Sequence, residues 1–362
     1  MKKIVLIAGD RSGDLYGGLL CQQLKRKYSD LELYSFGGDN LAKTSIQLIN
    51  LLSHSVSGLI EVAASLKNIL EVFNRAIEEI NKIKPDLIVP IDFPDFNLRL
   101  LKKLNKKFPV FYYISPQVWA WRKKRINILR EFVDKMVVIF RFEKDFYKAK
   151  DLDAEFFGHP LLDIIGDIDS PTKNIITFLP GSRMNEVKKH LPLMIQAKNL
   201  ISKELKGFAF RVLRPKNIDE SVYNSYPLGD IKVENHSYEL IKESKFIITA
   251  SGTATVEIAI LEIPYLIIYK VNPLTWFMLK RLVKTEFIGM VNILNSKKII
   301  KELLQYKATP ENIATITLDY LRNENLYTKL KTDLQKTKDL LKPYHASERF
   351  AEYIGDFLKL KS

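Results

Sequence analysis

Two short segments in the second half of the chain carry residue types suited to holding a phosphate. Leu179-Pro180-Gly181-Ser182-Arg183 and Ala250-Ser251-Gly252-Thr253-Ala254-Thr255-Val256-Glu257 each place glycine and hydroxyls just past an apolar run, where a helical pattern opens. The first turn of a helix has N–H groups without intrahelical partners and a partial positive charge, and glycine lets the backbone approach an anion. Arg183 adds a planar cationic fork. One such turn is also an ordinary strand-to-helix loop. Two in one half-chain, one with arginine and the other ending in a carboxylate, point to a nucleoside diphosphate. Gly181, Ser182, Arg183, Ser251, Gly252 and Thr253 are therefore candidate nucleotide-binding residues. Glu257, one helical turn after Thr253, is placed to accept hydrogen bonds from ribose hydroxyls.

The first half carries carboxylates and indoles instead. Ala8-Gly9-Asp10-Arg11-Ser12-Gly13-Asp14 is a glycine-bounded turn that opens a helix, where Asp10 and Ser12 serve either as caps or as substrate contacts. In Leu87-Ile88-Val89-Pro90-Ile91-Asp92-Phe93-Pro94-Asp95, a buried strand ends at Asp92 and a helix begins near Asp95. Asp95 follows proline and reads as the helix N-cap, whereas Asp92, at the carboxyl end of a strand, points to the crevice where α/β proteins bind ligands. Ser115-Pro116-Gln117-Val118-Trp119-Ala120-Trp121-Arg122 packs indoles, a hydroxyl and a cation into one loop. Trp119 and Arg122 there suit sugar stacking and phosphate pairing, although tryptophans in loops are commonly wedged into a core edge. Phe142-Glu143-Lys144 and Phe157-Gly158-His159-Pro160-Leu161 close this half.

These residues need a scaffold, and the hydrophobic pattern supplies one. Short apolar runs at Ile4–Ala8, Leu31–Phe36, Leu87–Ile91, Val110–Ile114, Met136–Phe140 and Glu155–Phe157 alternate with helical patterns such as Leu59–Ile83 and Phe96–Leu104. That alternation means buried parallel strands. The pattern stalls where Asp, Gly, Ser and Pro cluster over Asp163–Lys173. It restarts at Ile175–Leu179, Ala209–Leu213, Ile231–Val233, Phe246–Thr249 and Tyr265–Tyr269. After Lys297 the spacing turns helical, with Thr309-Pro310-Glu311 a cap, a first-turn proline and an early carboxylate. The expectation is an α/β protein of two Rossmann-like domains facing a cleft, residues 1–167 and 168–342, with a C-terminal helix over about 343–362 packing back on the first. Nucleotide turns mainly in the second domain describe a sugar-nucleotide glycosyltransferase of the GT-B type, donor in the C-terminal domain, acceptor in the N-terminal one, active site in the cleft.

Composition narrows the partners. The chain of 362 residues has 56 Lys+Arg against 42 Asp+Glu, a net charge of +14, which favours anionic partners. No zinc-finger spacing, helix-turn-helix or aromatic single-strand platform is recognisable, so nucleic acid is not expected. Met1-Lys2-Lys3 with Ile4–Ala8 reads as a first strand rather than a signal peptide, and no apolar stretch reaches a membrane span. The single cysteine, Cys21, fits a reducing cytosol. His54, His159, His190, His236 and His345 are too scattered to suggest a metal motif, and no metal or cofactor is expected; His159 reads as a loop-fixing histidine.

Taken in order from Gly9 to Asn292, these motifs resemble the lipid-A-disaccharide synthase family, bacterial glycosyltransferases that join two acylated glucosamines. The residues that carry the resemblance are the Ser-Gly-Asp turn, Phe36-Gly37-Gly38, Ile91-Asp92-Phe93-Pro94-Asp95-Phe96-Asn97, the Ser115–Arg122 block, Gly158-His159-Pro160-Leu161, the two phosphate turns, Tyr269-Lys270 and Asn292. One departure is Asp10, where the family's first turn usually has glutamate. The resemblance implies transfer of 2,3-diacylglucosamine from its UDP form to the 6-hydroxyl of 2,3-diacylglucosamine 1-phosphate. It also implies a β-1,6 linkage formed with inversion, without a cofactor. Asp92 is then the candidate base, Arg183 with Gly181 and Ser182 the leaving-group clamp, and Asn292 a donor-site contact. An acylated acceptor implies a cytoplasmic enzyme peripheral on the inner membrane, and Leu59, Ile60 and Leu66, on an apolar helical face whose pattern equally suits a core-facing helix, are the candidate membrane contacts. The oligomeric state, monomer or homodimer, stays open. Alternatives are a UDP-N-acetylglucosamine 2-epimerase-like enzyme on soluble sugars, or a basic lipid- or nucleic-acid-binding module.

Overall fold

The computed structural model describes residues 1–52, 62–272, 276–277 and 286–361, and of the helix that opens at Val62 only the backbone as far as residue 69. Leu59, Ile60 and the side chain of Leu66 lie outside the described residues. The chain divides into two units, Met1–Asp163 with Leu341–Ser362, and Ile164–Leu340.

Among the described residues the first unit has a seven-stranded sheet: β1 (Lys2–Ala8), β2 (Leu31–Gly37), β3 (Ile46–Asn50), β4 (Leu87–Ile91), β5 (Phe111–Tyr113), β6 (Lys135–Val138) and β7 (Ala154–Phe156). The strands run parallel in the order β3-β2-β1-β4-β5-β6-β7. Helices return the chain between them, and the central strands are continuous apolar runs because both faces are covered; Ile4–Ala8 are wholly buried. The order reverses between β1 and β4. Ala8 stands beside Ile91 there, so the loops that follow these two strands leave the sheet side by side. An α/β sheet binds ligands at such a topological switch point.

The second unit repeats the plan with β8 (Ile175–Leu179), β9 (Ala209–Arg214), β10 (Lys232–Asn235), β11 (Phe246–Ala250), β12 (Tyr265–Tyr269) and β13 (Glu302–Leu304), ordered β10-β9-β8-β11-β12-β13. Its switch point lies between β8 and β11, where Leu179 pairs with Thr249. The two turns singled out as phosphate holders therefore emerge from neighbouring strands, about 5 Å apart.

The last helix, Ala346–Leu358, belongs to the first unit. Phe350 packs on Tyr113 and Phe157, Tyr353 on Phe111 and Phe157, and Phe357 on Phe111. Asp163 accepts from the backbone N–H of His345 at 2.6 Å and of Ala346 at 2.8 Å, which caps this helix from the end of the contiguous part of the unit. Arg26 and Lys27 pair with Glu348 on its exposed side.

Candidate active site

At the first switch point, the backbone of Asp92 and Phe93 is left-handed at both residues, φ 43° and 46°. Non-glycine residues seldom adopt this region and do so at a cost, so surrounding bonds must hold it. They do: the Asp92 carbonyl accepts from Tyr112 Oη at 2.6 Å and Asn97 Nδ2 at 2.8 Å, and its N–H donates to the Tyr113 carbonyl at 3.0 Å. Tyr112 and Asn97 are themselves buried. Gly9 is required beside this turn, since a Cβ there would stand 2.1 Å from the Phe93 ring.

Burial and a neighbouring charge set the chemistry of the Asp92 carboxylate. Burial, then the charge of Asp10 across the switch point, push it up to about 7, against weaker opposition from the Phe93 N–H and Arg125. An acid with this pKa exchanges protons near neutral pH, which is what a general base must do. Asp10 reaches this position as the cap of the helix Arg11–Lys27, accepting from Gly13 N–H at 2.8 Å, and Ser12 is half-buried in that helix's first turn.

Asp92 opens on a cavity of about 350 Å³ lined also by Ser115, Trp121, Arg125, Phe140 and Glu143. Three sequence expectations change here. Asp95 is not the N-cap: Pro94 is already the first helical residue, and the Asp95 carboxylate turns to Arg122, at 2.8 Å, and to Arg125. Trp119 does not line the cavity; its indole donates to Glu143 at 3.0 Å and sits edge-on to Phe142, while Trp121 takes the lining position. Arg122 is exposed, stacked over Trp121 at 4.5 Å, and Arg125 is the arginine that lines the cavity.

Sequence reasoning missed Glu143. It reads as an unremarked acid in Phe142-Glu143-Lys144, yet it is 2% exposed, and burial pushes its carboxyl up to about 7 against hydrogen bonds from neutral donors. Its place in the third helical position after Phe140, where it accepts the Phe140 N–H at 3.3 Å, is the available signal.

In the second unit, Gly181 has φ 127° and is packed so closely that a Cβ would meet Glu186 at 2.5 Å. The Glu186 carboxylate accepts from the N–H groups of Ser182, at 2.9 Å, and Arg183, at 3.3 Å. The anion-holding groups of this turn thus engage a carboxylate of the chain itself. Arg183 extends into solvent with its side chain 82% exposed. His190, set aside in the sequence only as one of five scattered histidines, ties the turn to the neighbouring strand: Nδ1 meets the Pro180 carbonyl at 2.8 Å, and Nε2 accepts from Lys270 N–H at 3.0 Å. Burial lowers its pKa, in keeping with a neutral ring in this bridge.

In the adjacent turn Gly252 and Thr253 are exposed and Ser251 is half-buried, while Thr255 Oγ1 closes the turn on the Gly252 carbonyl at 2.7 Å. Glu257 follows on the helix Ala254–Ile260, its carboxylate 3.3 Å from His236 Nε2. Asn292 does not join them. It is wholly buried, and its amide donates to the Ile300 carbonyl and Glu302 while its oxygen accepts from Ile299 and Ile300 N–H, all at 2.7–2.9 Å. With both donors and both acceptor sites spent inside the protein, it has none for a donor substrate.

Two doubly wound units, each with its chemistry-bearing turns at its own switch point, define the GT-B class. Solved structures share that fold: the S. aureus MnaA-UDP co-structure has TM-score 0.71 and 14% identity, covering 99% of this chain and 98% of that one. The glycotransferase of kitacinnamycin has TM-score 0.66 and 12% identity, with 98% of each chain covered. Within the class, residues 4–353 match the family model described as Lipid-A-disaccharide synthetase. Curated lipid-A-disaccharide synthases from Persephonella marina (strain DSM 14350 / EX-H1) and Coxiella burnetii (strain CbuG_Q212) are 36% and 34% identical, covering 98% and 99% of this chain and 99% of each relative. The chain belongs to the lipid-A-disaccharide synthase family, glycosyltransferases that form the lipid A disaccharide from a UDP-sugar donor and a lipid acceptor. Among the described residues no helix is long and apolar enough to cross a membrane.

Proposed function

We propose that the protein transfers 2,3-diacylglucosamine from its UDP form to the 6-hydroxyl of 2,3-diacylglucosamine 1-phosphate, with inversion, giving the β-1,6-linked disaccharide 1-phosphate and UDP. The observation that carries this reading is the place of Asp92, on a strained turn braced by three hydrogen bonds beside a cavity of about 350 Å³, where burial and Asp10 raise its pKa. In this scheme Asp92 takes the proton of the attacking hydroxyl as the C1–O bond forms. The bond from C1 to the UDP oxygen breaks on the opposite face. Charge developing on the departing diphosphate is met by the N–H groups of Ser182 and Arg183 and by the Arg183 guanidinium, once Glu186 has yielded its place. Ser251, Gly252 and Thr253 hold phosphate oxygens, and Glu257 takes the ribose hydroxyls. Attachment to the inner face of a membrane through the segment around Leu59, Ile60 and Leu66 belongs to the same proposal, since the acceptor carries two acyl chains.

The family membership favours transfer over the epimerase alternative. The direct test is mass spectrometry of the products after incubation with UDP-2,3-diacylglucosamine and 2,3-diacylglucosamine 1-phosphate. A tetraacyl disaccharide 1-phosphate with equimolar UDP is expected. Conversion of UDP-N-acetylglucosamine to its 2-epimer, with no disaccharide, would overturn the proposal.

A further inference from the structure

Glu143 is buried where a helix-capping glutamate has no need to be. A glutamate at the third helical position ordinarily reaches back to the cap N–H from the protein surface, with little desolvation. Here the side chain is 2% exposed, and the groups that stabilise its ionised form are neutral donors: the Trp119 indole, the N–H groups of Phe140 and Ile139, and the Ser115 hydroxyl. Capping one helix and anchoring one indole are both achieved without that burial cost. What burial adds is the cavity, which Glu143 lines together with Asp92.

The sheet sets the interval between the strands these two acids follow, and both side chains converge on one cavity. Asp92 follows β4 and the helix of Glu143 follows β6, with only β5 between them. Two strand spacings separate their origins by about 10 Å. An interval of that size, across a cavity both acids line, is of the order of one pyranose ring with a hydrogen bond of about 2.8 Å at each end. Trp121 lines the same cavity and adds apolar indole surface to it. The acceptor then has few donors left to offer. Positions 2 and 3 are acylated, position 1 carries phosphate, the 6-hydroxyl belongs to Asp92, and the 4-hydroxyl sits next to C5 on the same side as the reacting arm. The ring atom opposite C5, which bears the reacting arm, is C2, and its acyl link is an amide with an N–H.

We propose that Glu143 is the second carboxylate of the acceptor site and accepts a hydrogen bond from the 2-amide N–H of the acceptor sugar, setting the ring so that its 6-hydroxyl meets Asp92. This rests on the acceptor reading of the first unit given above. The test compares kcat/KM for the natural acceptor with that for an analogue whose 2-amide is an ester, at saturating UDP-sugar, in full-length protein. Wild type should prefer the amide by about tenfold or more, because the ester withdraws one donor from a buried carboxylate and sets its own oxygen against it. Glu143→Ala should lose that preference with the donor KM unchanged. Trp119→Phe, which removes the indole donor and leaves the carboxylate, should retain it. Equal use of amide and ester by wild type, or full preference in Glu143→Ala, overturns the proposal. So does loss of preference in Trp119→Phe, which makes Glu143 an anchor for the indole. Should Glu143→Ala fail to fold, Glu143→Met fills the volume without an acceptor and is judged by the same criterion. Wild-type protein that makes no disaccharide with the natural acceptor overturns the transferase reading itself.

Discussion

Asp92→Asn separates catalysis from folding, because the same carboxylate bears on both. In the folded protein its pKa is raised from 3.8 to about 7, chiefly by burial and then by Asp10. Below about pH 4 both folded and unfolded chains carry the proton, and the group costs the fold nothing. As pH rises from about 4 to about 7 the unfolded chain ionises first, so stability falls; above about 7 the penalty is constant. A shift from 3.8 to about 7 corresponds to about 4 kcal/mol. The half-buried side chain opens on the cavity, and water there returns part of that, leaving about 2 kcal/mol. Asparagine has no such ionisation. Calorimetry should therefore find the variant's Tm advantage over wild type larger at about pH 8 than at about pH 4, by roughly 2–4 °C per kcal/mol for a unit of this size. Turnover in the same variant should fall by about 10²–10⁴-fold with UDP affinity unchanged, and wild-type kcat/KM should decline below about pH 7. A Tm difference that is the same at both pH values, together with near-normal turnover, would refute the reasoning.

Three further outcomes are expected. Arg183→Ala should weaken UDP binding by about tenfold at low ionic strength, measured by titration calorimetry, and unchanged affinity would leave Arg183 outside the diphosphate site. Glu186→Ala should tighten binding of inorganic pyrophosphate several-fold while lowering Tm through loss of a helix cap worth about 1 kcal/mol, because the Ser182 and Arg183 N–H groups it now holds become free; weaker binding would show that the carboxylate shapes the turn for the ligand. Cys21 is fully buried with its thiol pushed up to about 12, chiefly by burial, so it should resist alkylation at about pH 8 in the folded protein and react fully in denaturant; ready labelling of native protein contradicts this.

The strands that anchor the chemistry were legible because buried parallel strands are continuous apolar runs; β1, β4, β8, β11 and β12 fall where Ile4–Ala8, Leu87–Ile91, Ile175–Leu179, Phe246–Thr249 and Tyr265–Tyr269 place them. β3 and β13 were not, since Ile46–Asn50 is largely half-buried and Glu302–Leu304 has three residues with one buried, neither presenting an apolar run. Local turn chemistry was also readable: Thr309 caps the helix Pro310–Arg322, accepting from Asn312 N–H at 3.2 Å. Orientation was not. Spacing along the chain does not say which of Trp119 and Trp121, or of Arg122 and Arg125, faces the cavity, because Arg122 takes a left-handed backbone, φ 50°, that turns the segment. Asn292 became a donor-site candidate through the family resemblance alone, but its side-chain bonds all run inward to Ile299, Ile300 and Glu302.

The C-terminal helix also fixes an order of events during synthesis. Phe111, Tyr113 and Phe157 are covered by Phe350, Tyr353 and Phe357, and Ile164–Leu340 is a whole unit made in between. On a ribosome adding about 5–20 residues per second, the first sheet waits roughly 10–40 s for its aromatic cover after Asp163 has emerged. The second unit, contiguous in sequence, has all its strands before the first unit can close. A chain released short of Ala346 would leave that aromatic surface open and adhesive.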